Sequence, residues 1–312
     1  MGASPLQNVV EKLSLHGILP AQNILSQFDA GLITSPSSKA DLLKAWTSSN
    51  SAYSARSAAD GNLQGTGEVL PMPASLTPST AALLGQIRNY PPFDSHRTEL
   101  AFVRVAKLVT PQLTVTVPRL QQRAPIERSS PPEELFRVMF EVGTSPQPVF
   151  RQTLGLAPNG GALLYTSYDE DVRLHHPPFF RRLSINEADP ASPSHETICM
   201  PVGGGLPFAY AFRVQVGPGV HRLVLANGIH RAAAAALAGL DTIPLILTDF
   251  TALEVPDPFI DMPKQILLDP KMRPPMIADF ADRSLTMQLG FFRMLRTVRL
   301  NWNFENYVVP VR

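Results

Sequence analysis

The chain has 312 residues, of which 44% are hydrophobic and 17% are charged, and its net charge is +1. This composition excludes a disordered protein and gives no support for a general nucleic-acid binder, which carries a clear basic excess. The single cysteine, Cys199, excludes a disulfide framework within the chain and favours a reducing compartment. Because the sequence shows no secretory signal and no apolar run of about 18 residues, we expect a cytoplasmic protein that makes no membrane contact.

Residues 1–95 are predicted to form a helical N-terminal arm followed by a Pro/Ser-rich linker. Apolar residues fall near helical spacing in 6–15, which predicts a first helix. A second helix is expected after Ser38, which is a candidate N-cap because Asp41 follows three residues later. Residues 48–80 are rich in Ser, Ala, Gly, Asn and Pro, which is typical of a linker or an extended arm.

Residues 96–250 are predicted to form a folded core of α/β (α+β) class. β-branched residues in alternation indicate strands at 100–109 and 113–117. A proline and glutamates in the first turn, with a glycine after the end, indicate a helix at 132–143. Residues 251–312 are predicted to form a β-rich C-terminal extension. Further strands of the core are expected at 208–216, 221–225 and 243–247.

The segment 223–247, LVLANGIHRAAAAALAGLDTIPLIL, carries most of the functional signal. Gly228 can make the tight turn between a strand and the helix that follows. The first amide groups of that helix lack intrahelical acceptors and lie at its positive end, which makes an anion site. Arg231 adds a guanidinium that can bind phosphate in a bidentate manner, and His230 can donate a hydrogen bond. Gly239 suits the position just after the last turn.

The order strand, Asn-Gly-Ile-His-Arg, alanine-rich helix, Gly-Leu-Asp-Thr-Ile-Pro and strand resembles the ParB/sulfiredoxin superfamily, mainly over 213–250. In that family the loop binds nucleotide phosphates. The resemblance implies a ParB/sulfiredoxin-like core with an insertion, and ATP or another nucleotide with Mg²⁺ as the cofactor. It also implies that the phosphates lie on Gly228, His230 and Arg231, with the backbone of Asn227 and Ile229 assisting.

The chain departs from the active members of the family in two ways. Sulfiredoxins carry a catalytic cysteine where Ile229 stands here, which argues against sulfinic-acid reduction. Partition proteins carry Gly-Glu-Arg-Arg and a following helix-turn-helix, which argues against a DNA-partitioning function here. Members that phosphorylate free serine use the His-Arg form with a separate catalytic carboxylate. For such chemistry the weak candidates are His230, Glu99 and Asp94, and the alternative for both carboxylates is a solvated or capping position.

A second interpretation of the motif stays open, and a metal site elsewhere in the chain is disfavoured. The motif could be a plain buried junction in which Arg231 pairs with a carboxylate such as Asp241 or Asp249. A metal site on His175–His176 with His195–Glu196 is disfavoured, because adjacent strand residues point to opposite faces. We therefore predict no metal ligands in the protein.

The leading hypothesis is a nucleotide-binding protein with phosphates at the Asn-Gly-Ile-His-Arg loop, extending to an ATPase or a small-molecule kinase. The alternative is a non-catalytic assembly or adaptor protein that keeps the fold. In that case we expect self-association, or binding of a protein partner, through the N- and C-terminal extensions. A DNA-binding or nuclease function is disfavoured by the near-neutral charge.

Overall fold

The structure is a computed structural model that describes residues 9–60, 69–88, 93–122, 126–140, 150–157, 160–168, 173–174, 179–184, 194–199, 202–203, 208–255, 257 and 259–303. It shows the mixed α+β class expected from the sequence. The helices in these ranges are α1 (Ala21–Asp29), α2 (Lys39–Asp60), α3 (Thr77–Ile87), α4 (Val117–Gln122), α5 (Pro132–Met139), α6 (Ile229–Leu237) and α7 (Lys264–Leu268). The strands are β1 (Val9–Ser14), β2 (Ile33–Ser35), β3 (Val69–Leu70), β4 (Thr98–Arg104), β5 (Leu108–Val109), β6 (Thr114–Thr116), β7 (Phe150–Ala157), β8 (Gly160–Tyr168), β9 (Arg173–Leu174), β10 (Phe179–Ser184), β11 (Ser194–Cys199), β12 (Val202–Gly203), β13 (Tyr210–Gly217), β14 (Val220–Asn227), β15 (Thr242–Thr251), β16 (Met287–Phe292) and β17 (Leu295–Asn303).

The chain divides into two compact units, and each is built from two separate stretches of sequence. The larger unit comprises Met1–Thr144 and Pro207–Phe292, and the smaller unit comprises Ser145–Leu206 and Arg293–Arg312. These boundaries differ from the predicted ones at 95/96 and 250/251. The difference arises because strands near the two ends of the chain pair with strands far away in the sequence.

A six-stranded mixed sheet forms one part of the larger unit, in the order β3-β4-β15-β13-β14-β5. β13 pairs with β15 in parallel, whereas β14 and β4 run antiparallel to their neighbours β13 and β15. The middle of β15 is fully buried, with Ile243, Leu245 and Leu247 all at 0% exposure. α6 leaves the end of β14 and returns to the start of β15, so the sheet fixes both ends of this helix.

A four-stranded sheet in the order β2-β16-β1-β6 forms the other part of the larger unit. The helix predicted at 6–15 is wrong over its described part, because Val9–Ser14 is the strand β1. β1 pairs antiparallel with β16 near the other end of the chain, and this ladder overrides the local apolar spacing. The apolar face of this four-stranded sheet packs on α1 and α2. The buried residues of the cluster are Ile24, Ile33, Leu42, Met287, Leu289 and Phe291.

α2 is much longer than the sequence suggested, since it continues from Lys39 to Asp60 through part of the predicted linker. The alanines of this stretch favour a helix. The predicted N-cap is confirmed: the Asp41 N–H donates to Ser38 Oγ at 3.1 Å. The predicted helical arm is therefore wrong as an architecture, because residues 9–60 also contribute β1 and β2 to a sheet.

The smaller unit is built from antiparallel strands. Its main sheet has the order β17-β8-β7, and β10 pairs with β11 while β9 pairs with β12. The predicted C-terminal extension is not one body, because β16 belongs to the larger unit and β17 pairs with β8 in the smaller one.

Candidate functional site

The turn that starts α6 requires glycine at position 228. Gly228 has φ 89° and ψ 19°, in the left-handed region that other residues rarely adopt. A Cβ at this position would lie 2.5 Å from the Cβ of Ala209 and 3.0 Å from its Cα. The backbone at Ala209, just before β13, therefore approaches the turn closely, and a side chain at 228 would have to displace it.

The start of α6 is the positive end of a nine-residue helix. Its first intrahelical bond runs from the Ala232 N–H to the Gly228 carbonyl at 2.9 Å. The amides of the first turn precede that bond and have no acceptor within the helix. No side chain caps this end and its first turn holds no acidic residue, so it has no carboxylate of its own.

Asn227 and Ile229, on either side of the glycine, support the turn with their side chains. Asn227 is 6% exposed, and its Nδ2 donates to the Phe208 carbonyl at 2.7 Å. Ile229 is 5% exposed and packs in the core. For both residues the backbone remains the part that an anion at the turn could contact, as the resemblance implied.

His230 connects the start of α6 to the four-stranded sheet. The Thr116 backbone N–H, at the end of β6, donates to His230 Nε2 at 3.0 Å. A nitrogen that accepts a hydrogen bond carries no proton, so in this arrangement the proton of the neutral ring lies on Nδ1. The ring is partly buried.

The Arg231 side chain is buried next to the turn and is not exposed at its surface. It is 4% exposed, and its Nε lies 3.5 Å from the position that a Cβ on Gly228 would take. The motif predicts a guanidinium exposed to a phosphate, whereas the structure buries the Arg231 side chain. The two carboxylates considered as partners of Arg231 bind other arginines. Asp241 binds Arg104 at 2.8 Å, and Asp249 binds Arg213 at 2.6 Å.

The two candidate catalytic carboxylates are not brought to this turn. Glu99 lies on β4, three strands from β14 in the sheet order, which is about 14 Å at the usual strand spacing. Its Oε1 accepts a hydrogen bond from Arg213 Nη1 at 2.6 Å, so it belongs to an ion pair. Asp94 is exposed, in a turn before β4. Their chain positions near the opening strand did not reveal this separation, because the order of strands in the sheet is not the order in sequence.

The disfavoured metal site cannot be placed. His175 and His176 fall outside the described residues, and for His195 and Glu196 only the backbone in β11 is described. Among the residues that the structure describes, no group of three or more His, Cys, Asp or Glu side chains could hold a metal ion. In the same part of the chain no helix combines the length and apolar character needed to cross a membrane.

Comparison of the chain with protein-family models, with curated proteins and with solved structures gives no match. The similarity to the ParB/sulfiredoxin superfamily therefore depends on the motif and on the elements around it, and it stays a prediction. The structure does provide the elements in the order of that resemblance, with β14 before Gly228, α6 after it, and β15 following Gly239.

Proposed function

We propose that the start of α6 binds the phosphate groups of a nucleotide, with Mg²⁺ shielding their remaining charge. The observation that carries this proposal is the helix start itself: a left-handed glycine, first-turn amides, no capping side chain and no acidic residue in the first turn. Amides at the positive end of a helix are a common phosphate site, and Mg²⁺ commonly accompanies bound nucleotide phosphates.

The side chains of the motif have different parts in this proposal. The backbone amides after Gly228 bind phosphate oxygens directly, and His230 holds this helix start to β6 through its hydrogen bond from the Thr116 N–H. The buried charge of Arg231 attracts the phosphate from inside the protein, where a charge is screened less than in water. The Arg231 Nε lies 3.5 Å from the position that a Cβ on Gly228 would take, so the charge is close to the turn.

The proposal is limited to binding. ATP hydrolysis or phosphoryl transfer needs a residue that orients or deprotonates the nucleophile. The two carboxylates considered for that step, Glu99 and Asp94, lie elsewhere: Glu99 binds Arg213 and Asp94 is in an exposed turn. A kinase or ATPase activity would therefore need another group at the turn.

A thermal-shift experiment tests the proposal. The purified protein is heated with ATP, CTP, GTP or inorganic phosphate, with and without Mg²⁺. A ligand that binds only the native state adds about 2.7 kcal/mol at a hundredfold excess over its Kd, which raises Tm. We expect a nucleotide-dependent shift that Arg231→Met abolishes and Arg231→Lys keeps in part.

The matched control is Arg137→Ala, which removes an exposed arginine from α5. This variant should keep the full shift, because α5 begins with Glu133 and Glu134 and presents no comparable anion site. If no nucleotide raises the Tm of the unchanged protein at millimolar concentration, phosphate binding at α6 is wrong.

A second candidate function, self-assembly, is favoured by a pair of exposed apolar side chains. Val9 on β1 and Phe292 on β16 are direct cross-strand neighbours, and they are 40% and 48% exposed. Both come from the regions expected to bind partners. Sedimentation velocity should show an oligomer that Phe292→Ser weakens, whereas Leu253→Ser, at a 91% exposed leucine, leaves it unchanged. A monomer at every concentration would remove this candidate.

A further inference from the structure

A second polar cluster lies at the other end of the six-stranded sheet, where β4 begins and β15 ends. His96 precedes β4 and Glu254 follows β15, 158 residues apart in sequence. The antiparallel pairing of the two strands brings these ends together, and the Asp249 N–H donates to the Arg97 carbonyl at 3.0 Å. The backbone on both sides of the cluster is therefore held by the sheet.

The cluster is a chain of hydrogen bonds from a carboxylate through a histidine to a hydroxyl. Glu254 Oε1 lies 3.1 Å from His96 Nε2, and Ser95 Oγ lies 3.0 Å from His96 Nδ1. An ionised carboxylate can accept hydrogen bonds but cannot donate them, so Nε2 carries the proton of the neutral ring. Nδ1 is then an acceptor, and the Ser95 hydroxyl is the donor that reaches it.

Glu254 is fixed as the ionised partner. Its second oxygen, Oε2, accepts hydrogen bonds from the Thr251 N–H at 2.7 Å and the Thr251 hydroxyl at 2.8 Å. The hydrogen bond from the Thr251 N–H, and then that from His96, lower the pKa of Glu254 to about 2. The carboxylate is thus negative throughout the neutral range and keeps the proton of His96 on Nε2.

The imidazole ring is also held in its plane. It stacks on the Phe250 ring with the centroids 4.3 Å apart and the planes 12° from parallel. Since stacking and the Glu254 bond both constrain the ring, its second nitrogen keeps a fixed direction toward Ser95. Ser95 itself is exposed, so a substrate can reach its hydroxyl.

We propose that Ser95 is the nucleophile of an acyl-transfer site, with His96 as its general base and Glu254 as the residue that orients His96. A nucleophile within 2.6–3.2 Å of a base that a third group orients is the arrangement by which serine is activated in proteins. The substrate class is carboxylic esters, whose carbonyl carbon can reach the exposed Ser95 hydroxyl. This site is independent of the nucleotide site proposed at α6.

The reaction balances with these groups and water alone. Ser95 Oγ attacks the ester carbonyl carbon while its proton passes to His96 Nδ1. The ester C–O bond then breaks, and the alkoxide leaves with that proton as an alcohol. Water, deprotonated by His96, attacks the acyl-serine, and the carboxylic acid is released as Ser95 recovers its proton.

Covalent labelling with a fluorophosphonate tests this site directly. The serine oxygen bonds to phosphorus and fluoride leaves, so the label adds a defined mass to one peptide. We expect labelling at Ser95, found by mass spectrometry of the digested protein, and none in Ser95→Ala. The matched control is Ser284, an exposed serine whose hydroxyl donates directly to Asp282 Oδ1 at 2.7 Å, with no histidine between them.

Two further variants separate a catalytic site from a merely reactive serine. His96→Gln and Glu254→Gln should slow labelling by about 100-fold, the usual contribution of a general base, with folding checked by circular dichroism. Hydrolysis of p-nitrophenyl acetate should fall in parallel. If His96→Gln fails to fold, Glu254→Gln decides alone. Labelling of Ser95 no faster than of Ser284, or unaffected by Glu254→Gln, overturns the proposal.

Discussion

Two buried arginines of the larger unit show how differently the same side chain can be placed. Arg273 forms a fork with Asp279, at 2.9 Å and 2.6 Å, and its Nε donates to Asp60 at 3.0 Å. It joins the end of α2 to a segment more than 200 residues away. Arg231 is equally buried but lies beneath the turn at the positive end of α6. Burial alone does not reveal what a guanidinium does, and for Arg273 it is the facing Asp279 carboxylate that shows a structural function.

The largest expected effect is the loss of the Arg273 cluster. Asp279→Ala leaves a buried guanidinium without its main partner, so the free energy of unfolding should fall by about 3–5 kcal/mol, measured by urea denaturation. The control is Asp29→Ala, which breaks a pair with Lys39 whose side chains are both about half exposed. That exposed pair should contribute about 1 kcal/mol or less. Equal losses in the two variants would contradict a structural function for Arg273.

The turn at α6 is expected to be nearly as sensitive. Gly228→Ala forces a Cβ against Ala209 and a left-handed backbone, and we expect a loss of about 3 kcal/mol. Gly31→Ala is the matched control, because Gly31 also has a positive φ, of 72°, but its Cβ would meet open space. There the strain alone should cost about 1 kcal/mol. The difference between the two, measured by urea denaturation, isolates the close approach of Ala209 to the turn.

His16 tests what burial does to an ionisable group without a counter-charge. Burial, and secondarily the charge of Lys12, lower its pKa from 6.5 to about 4. The unfolded histidine takes up a proton below about pH 6.5, while the folded one stays neutral until about pH 4. The contribution of neutral His16 to the free energy of unfolding is therefore complete above pH 6.5 and is lost as the pH falls toward 4.

Between pH 7.5 and pH 5 this histidine should lower the free energy of unfolding by about 2 kcal/mol. Chemical denaturation at both pH values measures the change. His16→Gln removes the titrating group, so its free energy of unfolding should fall by about 2 kcal/mol less than that of the unchanged protein over the same pH range. If the variant and the unchanged protein lose the same amount, His16 is not a buried neutral histidine.

The features that the sequence predicted correctly are those decided by neighbouring residues. Ser38 caps α2, and Gly239 has φ 74° with hydrogen bonds from residues 239 and 240 back to the last turn of α6. Each needs only a few consecutive residues. Gly228 belongs to the same group, since a turn between a strand and a helix requires its conformation.

The features that the sequence missed depend on partners far away along the chain. The local apolar spacing predicts a helix where β1 forms, because the partner strand β16 lies nearly 280 residues further on. His96 gave no signal in sequence, since Glu254 reaches it only through the pairing of β4 with β15. The depth of Arg231 was equally invisible, because a motif fixes the order of residues but not the side of a turn on which a long side chain packs.

The smallest expected effect compares two helix starts. α2 is capped by its own side chains, since Ser38 Oγ accepts from the Asp41 N–H at 3.1 Å and donates to the Asp41 carboxylate at 2.6 Å. Ser38→Ala should lower the free energy of unfolding by about 1 kcal/mol, the usual cost of a lost cap, and added phosphate should leave this difference unchanged. At α6, where no side chain caps the helix, phosphate should stabilise both proteins by the same amount. Urea denaturation of Ser38→Ala and the unchanged chain, with and without phosphate, measures both effects. Equal stabilisation by phosphate in the two proteins is the expected result, and a larger stabilisation of Ser38→Ala would contradict it by showing that phosphate replaces the lost cap of α2.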